Sequence, residues 1–178
     1  IKSEEFKGET GDTALIRITP KGKIKAGLLL LVGVGEEKDF NEAGVFITAG
    51  TATRYLRKCN VKTFAFLPRA KVNAVVTVQN SVQAAITSQF ELDKYKTRDK
   101  NNKAITKMVV CVEDATTTEL KTGISRGIAI GDSMNFTRDL ANEPPNILTP
   151  TEMAKRAAKM AKDVGLKLEV LNEAQMEK

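Results

Sequence analysis

The sequence predicts an α/β fold, a sandwich of helices on a largely parallel or mixed sheet. Three observations predict it. Strand-like and helix-like hydrophobic patterns alternate along all 178 residues, as they do when helices cover a sheet. Residues 28–34 form a continuous apolar run, the pattern of a strand covered on both faces. Hydrophobic residues make up 42% and charged residues 28% of the chain, which suits a soluble core of one domain, or of one domain plus a fragment.

Taken in order, residues 13–18 alternate as a strand and residues 28–34 follow as the buried one. Between 41 and 59, Val45, Phe46, Ala49, Ala52, Leu56 and Cys59 fall on one helical face. Residues 61–67 form another strand, stopped by Pro68. The segment 72–90 fits both periods. Val72, Ala74, Val76 and Val78 alternate as a strand, whereas Val72, Val75, Val76, Gln79, Val82, Ile86 and Phe90 fit a helix, and the helix is favoured, partly because the family resemblance set out below implies one before the F-x-x-x-K-Y-K segment at residues 90–96. Residues 94–107 form a polar loop with Asn101 and Asn102 at its tip, 108–112 a strand, and 117–142 a long helix.

The double proline then stops the chain's helical run. Pro144 and Pro145 cannot sit inside a helix, and Glu143 before them is pushed to extended geometry. A new helix is predicted over 149–164. Thr149 is its N-cap, Pro150 takes the first helical position, and Glu152 is placed to reach back to the Thr149 N–H. Gly165 is its C-cap. Residues 166–171 alternate as a short strand and 173–178 begin a helix, so a second α/β unit is opened.

Composition excludes several chemistries. There is no histidine, hence no histidine general base, no Ser-His-Asp triad and no histidine-ligated zinc from this chain. Cys59 and Cys111 belong to no C-x-x-C motif; Cys59 closes the apolar helix pattern and Cys111 lies in the strand-like run 108–113, which predicts two reduced, buried thiols. No apolar run approaches the ~20 residues of a membrane span. The chain starts at Ile1 without a secretory pattern, which points to a trimmed start, and Asn135-Phe136-Thr137 fits a glycosylation pattern that is idle without secretion.

The remaining motifs are structural. Residues 123–127 spell G-x-S-x-G, but the nucleophile elbow needs a preceding strand and a histidine, and this stretch is helical. Gly123, Gly127 and Gly131 are four apart and predict one face of close helix packing. Gly33-Val34-Gly35 follows a strand, yet the third glycine of a phosphate loop is missing and Glu36 and Glu37 would repel a phosphate. Glu36, Glu37, Asp39 and Glu42 match no calcium-loop spacing. Basic residues are segregated. Residues 51–71 carry Arg54, Arg57, Lys58, Lys62, Arg69 and Lys71 with no acid, and 94–107 carry six basic residues against Asp99 alone, within a net charge of +6. Such stretches can form a nucleic-acid footprint, although 5% aromatic content without Trp offers no stacking platform.

Residues 138–151, RDLANEPPNILTPT, carry a resemblance. They resemble the hinge of the leucine (cytosol) aminopeptidase family, where a helix ends in R-x-L-x-N-x-P-P-N-x-x-T-P and the catalytic domain begins just after. The match is strongest over 136–178. The resemblance implies a macrodomain-like three-layer sandwich with a mixed sheet over 1–143. It implies that 144–178 is hinge, linker helix and first strand of a truncated second α/β domain, with the catalytic part missing. It further implies a metallo-aminopeptidase, a hydrolase that releases N-terminal amino acids from peptides with two divalent metal ions, Zn or Mn. A cytoplasmic hexamer without membrane attachment is expected. The family's lysine, aspartate and glutamate ligands, partly within N-T-D-A-E-G-R, have no counterpart here. No catalytic, cofactor-binding or metal residue is therefore carried over, and Asp139, Glu143 and Glu152 are not assigned such roles. This fragment alone is expected to be inactive. The alternative is a nucleic-acid-binding or regulatory module using residues 51–71 and 94–107. A nucleotide binder of the macrodomain type is a third class, on fold analogy alone.

Overall fold

The computed structural model describes residues 6–19, 25–68, 73–98 and 103–177. Two compact units divide the chain, Ile1–Phe136 and Thr137–Lys178.

The first unit opens with β1 (Thr13–Arg17) paired antiparallel to β2 (Leu28–Val32), Thr13 opposite Val32 and Arg17 opposite Leu28. Beyond β2 the backbone of Gly33 runs against residues 8 and 9. A side-chain carbon there would fall 2.1 Å from the Glu9 carbonyl oxygen, so only glycine fits. Helix α1 (Glu42–Lys58) follows, its N-terminus capped by the Asn41 side chain, which accepts from the Ala43 and Gly44 N–H groups. Val45, Ala49, Ala52, Thr53 and Leu56 form its buried face.

Strand β3 (Thr63–Phe66), helix α2 (Ala74–Thr87) and strand β4 (Lys107–Val110) complete a β-α-β unit. β3 and β4 are parallel, with Thr63 opposite Lys107 and Phe66 opposite Val110. The helical reading of the ambiguous segment holds. The Asn73 side chain caps it through Val75 and Val76, and Thr77, Val78, Ser81, Ala84 and Ala85 repeat at helical spacing on the buried side. Fully buried hydroxyls are satisfied inside their own helices. Thr53 donates to the Ala49 carbonyl at 2.8 Å and Ser81 to the Thr77 carbonyl at 2.7 Å. The core gathers where α1, α2 and β3 meet, at Ala49, Phe66 and Ala84, with Phe46, Phe64, Met108 and Val110 packed around them.

Helix α3 (Thr117–Ala141) starts on a reciprocal cap. The Glu119 carboxylate accepts from the Thr116 hydroxyl at 2.7 Å and from its N–H at 2.8 Å, while Thr116 Oγ1 accepts from the Glu119 N–H. These bonds, the hydroxyl's first, hold the Glu119 carboxyl below its ordinary range. The predicted glycine face is real. Gly123, Gly127 and Gly131 are the buried residues of α3. A carbon added at Gly123 would lie 2.7 Å from the Val75 carbonyl oxygen, at Gly127 2.6 Å from that of Gln79, and at Gly131 3.0 Å from Ile86 side-chain carbons. α3 thus rests its backbone directly on α2.

The second unit holds the end of α3, helix α4 (Pro150–Val164) and the short α5 (Glu173–Met176). Gly165 ends α4 in the left-handed region at φ 74°, as its sequence position predicts.

The class is therefore α/β, and both strand polarities occur, in two ladders of two strands each among the described residues. Three expectations need correction. β2 is covered less fully than a two-sided burial predicts, since Leu29 is 37% exposed. Residues 166–171 form no strand. Leu166, Leu168 and Val170 are 61%, 45% and 55% exposed, and no described residue supplies the neighbouring ladder that alternation needs to become a strand. Cys59 and Cys111 are free but exposed rather than buried, because Cys59 caps the end of α1 and Cys111 lies just past β4.

Candidate functional site

The double-proline segment is built from the second unit alone. α3 ends at Ala141, where the Asn142 N–H still donates to the Arg138 carbonyl and the Glu143 N–H to that of Leu140 at 3.2 Å. Pro144 turns the chain, and its carbonyl accepts from the N–H groups of both Ile147 and Leu148 at 2.9 Å. Thr149 Oγ1 then accepts from the Glu152 N–H at 3.3 Å and opens α4. The cap is one-sided, which differs from the expectation. The Glu152 carboxylate turns along the helix and accepts from Arg156 Nε at 3.2 Å instead of reaching back to Thr149.

The strongest electrostatic contact in this segment was not legible in the motif. Arg156 Nη1 donates to Glu143 Oε1 at 2.8 Å, and the Glu143 side chain is 1% exposed. Arg156 is itself 21% exposed on its side chain. Its guanidinium is held above its ordinary pKa by the bond to Glu143 first and by Glu152 second. A sequence signal exists only in hindsight: an acid before the prolines and an arginine on the inner face of α4.

The acids near this corner are thus accounted for as partners of an arginine. Asp139 is exposed. Among the described residues no three Cys, Asp or Glu side chains are grouped to hold a metal ion. Glu143 and Glu152 both bind Arg156, and the residues here do not fit a metal centre.

The other motifs fall as follows. Ser125 of the G-x-S-x-G pattern is exposed on α3. The Gly33 and Gly35 N–H groups donate to the Asp12 and Gly8 carbonyls at 2.8 and 2.9 Å, so these donors are committed to backbone rather than to a phosphate. A cleft of about 470 Å³ beside them is lined by Glu9, Glu36 and Asp39 together with Val34, Phe40 and Ile47.

The two basic stretches, distant in sequence, meet in space. Lys103 Nζ donates to the Lys58 carbonyl at 2.9 Å at the end of α1, and the Lys62 carbonyl accepts from the Thr106 and Lys107 N–H groups at 2.8 and 3.2 Å. Part of the charge is neutralised locally. Arg57 pairs with Glu91, and Lys96 with Asp93 at 2.6 Å. Arg69, Lys71, Asp99 and Lys100 lie outside the described residues. No helix among the described residues is long and apolar enough to cross a membrane.

An α/β unit whose last helix runs into a double-proline corner and a newly capped helix in a second unit defines a two-part protein of the α/β class. Residues 1–99 match the family model described as the cytosol aminopeptidase family, N-terminal domain, and residues 135–178 match that family's catalytic domain. The chain belongs to the cytosol aminopeptidase family. It is 35% identical over 176 residues to a "Probable cytosol aminopeptidase" of Solibacter usitatus (strain Ellin6076), covering 99% of this chain and 35% of that one. A second, from Alkaliphilus metalliredigens (strain QYMF), is 32% identical over 184 residues, covering 100% and 36%. The chain therefore spans about a third of the length of these relatives. Its fold resembles that of a mutant tomato leucine aminopeptidase (TM-score 0.80, 18% identity, 97% of this chain and 34% of that chain). It also resembles the bottromycin maturation enzyme BotP in complex with Mn (TM-score 0.76, 18% identity, 96% and 34%).

Proposed function

We propose that this chain is the non-catalytic N-terminal region, with the opening segment, of a metal-dependent leucyl aminopeptidase that releases N-terminal amino acids from peptides. One observation carries the reading: the chain matches the family's two parts in sequence order, with the second match beginning within α3. In this reading residues 1–143 form the N-terminal domain and 144–178 the hinge, the linker helix and the opening segment of the catalytic domain. The chain's own residues supply no catalytic, cofactor or metal ligand, and the chemistry needs two divalent ions, Zn or Mn, held elsewhere. The Mn named for BotP is in keeping with that choice. When bound, such a pair would activate a water as nucleophile and stabilise charge at the carbonyl. The assembly proposed is a cytoplasmic hexamer.

The test compares the 178-residue chain with a protein in which residues 1–178 continue into the remainder of the family's catalytic domain, both assayed with leucine p-nitroanilide and Mn or Zn. The chain alone is expected to release no product above background, and the long form to turn over and lose activity with a chelator. Turnover by the chain alone, or a long form indifferent to chelation, would sink the reading.

A second reading is favoured by the meeting of the two basic stretches at the end of α1. They would then serve as a nucleic-acid footprint. Duplex binding by this chain should weaken by about tenfold or more between 50 and 200 mM salt if several phosphates are contacted. Absence of binding at the lower salt ends this alternative.

A further inference from the structure

We propose that the double-proline segment is a latched corner, in which the buried Glu143–Arg156 pair fastens the end of α3 to α4, rather than a flexible hinge. This goes beyond the aminopeptidase reading and does not depend on it.

The argument starts from the backbone. Two prolines remove two N–H donors at consecutive positions, so the corner cannot be secured by a helical ladder. The backbone bonds on either side are short-range: Glu143 to Leu140 before the prolines, Ile147 and Leu148 to Pro144 after them. None of these crosses from the end of α3 to α4. Glu143 and Arg156 do cross it, thirteen residues apart.

Burial decides how firmly. A carboxylate with a side chain 1% exposed has lost nearly all its water, and an ionised one there is tolerable only with a fixed cationic partner. Arg156 supplies that partner through Nη1, and its Nε is held by Glu152 one turn earlier on the same helix. The guanidinium is thus fixed in the plane that meets Glu143. Swinging α4 away from the corner would break this charged hydrogen bond at a carboxylate shielded from water. That cost resists opening of the corner.

Hydrogen exchange followed by mass spectrometry on the whole 178-residue chain tests this. The reporters are the bonded amides of Ile147, Leu148 and Met153, with the α1 amides as a control for the first unit. Glu143→Gln and Arg156→Gln should each speed exchange at the reporters by about tenfold or more, the worth of a charged hydrogen bond, and leave α1 unchanged. The double variant should be no looser than either single one, because the two residues act as a unit. Unchanged reporters in both single variants overturn the latch. Additive loosening in the double variant assigns the effects to independent packing and overturns it as well. Loss of protection in α1 together with the corner would mean that the pair supports the whole chain, which also defeats the proposal.

Discussion

Gly127→Val is expected to lower the unfolding free energy of the first unit by about 3 kcal/mol. The side chain has no room. Its first carbon would sit 2.6 Å from the Gln79 carbonyl oxygen and 2.8 Å from the Val82 side chain, and a backbone oxygen in α2 cannot turn aside as a rotamer can. The helix must either lift off α2 or bend. Intrinsic propensity works the other way, since glycine is the poorer helix former by some tenths of a kcal/mol. Gly131→Ala supplies the contrast. The three atoms nearest its new carbon would all be Ile86 side-chain carbons, at 3.0 to 3.2 Å, which can shift by a few tenths of an ångström. Urea denaturation of the two variants should give a large fall in midpoint for Gly127→Val and a small change for Gly131→Ala. Equal midpoints would show that α3 does not depend on backbone contact with α2.

Phe66→Ala should be costlier still, about 3–5 kcal/mol, against a total of about 5–15 kcal/mol for a typical domain. Phe66 is 8% exposed and sits between Ala49 of α1 and Ala84 of α2. Those neighbours are the smallest side chains available and have no reach to refill the space, so a cavity remains. Phe66→Leu keeps most of the volume and should lose less than about 1.5 kcal/mol. Thermal unfolding by circular dichroism reads both. A mild effect of Phe66→Ala would show that α1 and α2 close over the gap.

What was legible in the sequence was local. Asn41, Asn73, Thr149 and Gly165 cap their helices through bonds to residues two to four positions away, and short-range chemistry leaves short-range signatures. The glycine spacing on α3 also spoke plainly, because a residue without a side chain every fourth position has few other uses. The failures were all matters of what lies opposite. Residues 166–171 alternate as a strand does, but a strand exists only with a neighbour, and alternation says nothing about one. Cys59 closes an apolar helix face and Cys111 lies in an apolar strand-like run, yet both are exposed. The motif around the prolines could be recognised as a string. The bond from Glu143 to Arg156 depends on how α4 comes back past the corner, which no window of a few residues encodes.

The exposure of the two cysteines has a practical side. The chain contains only these two, and they stand near opposite ends of β3. Cys59 comes just before that strand begins, and the Cys111 N–H donates to the carbonyl of Phe66, where it ends. Four residues of strand span ~13 Å. The native sequence thus carries a ready pair of attachment points for dyes or spin labels across the first unit's core. Opening of that core can be followed as a change in distance between them, without introducing a single mutation.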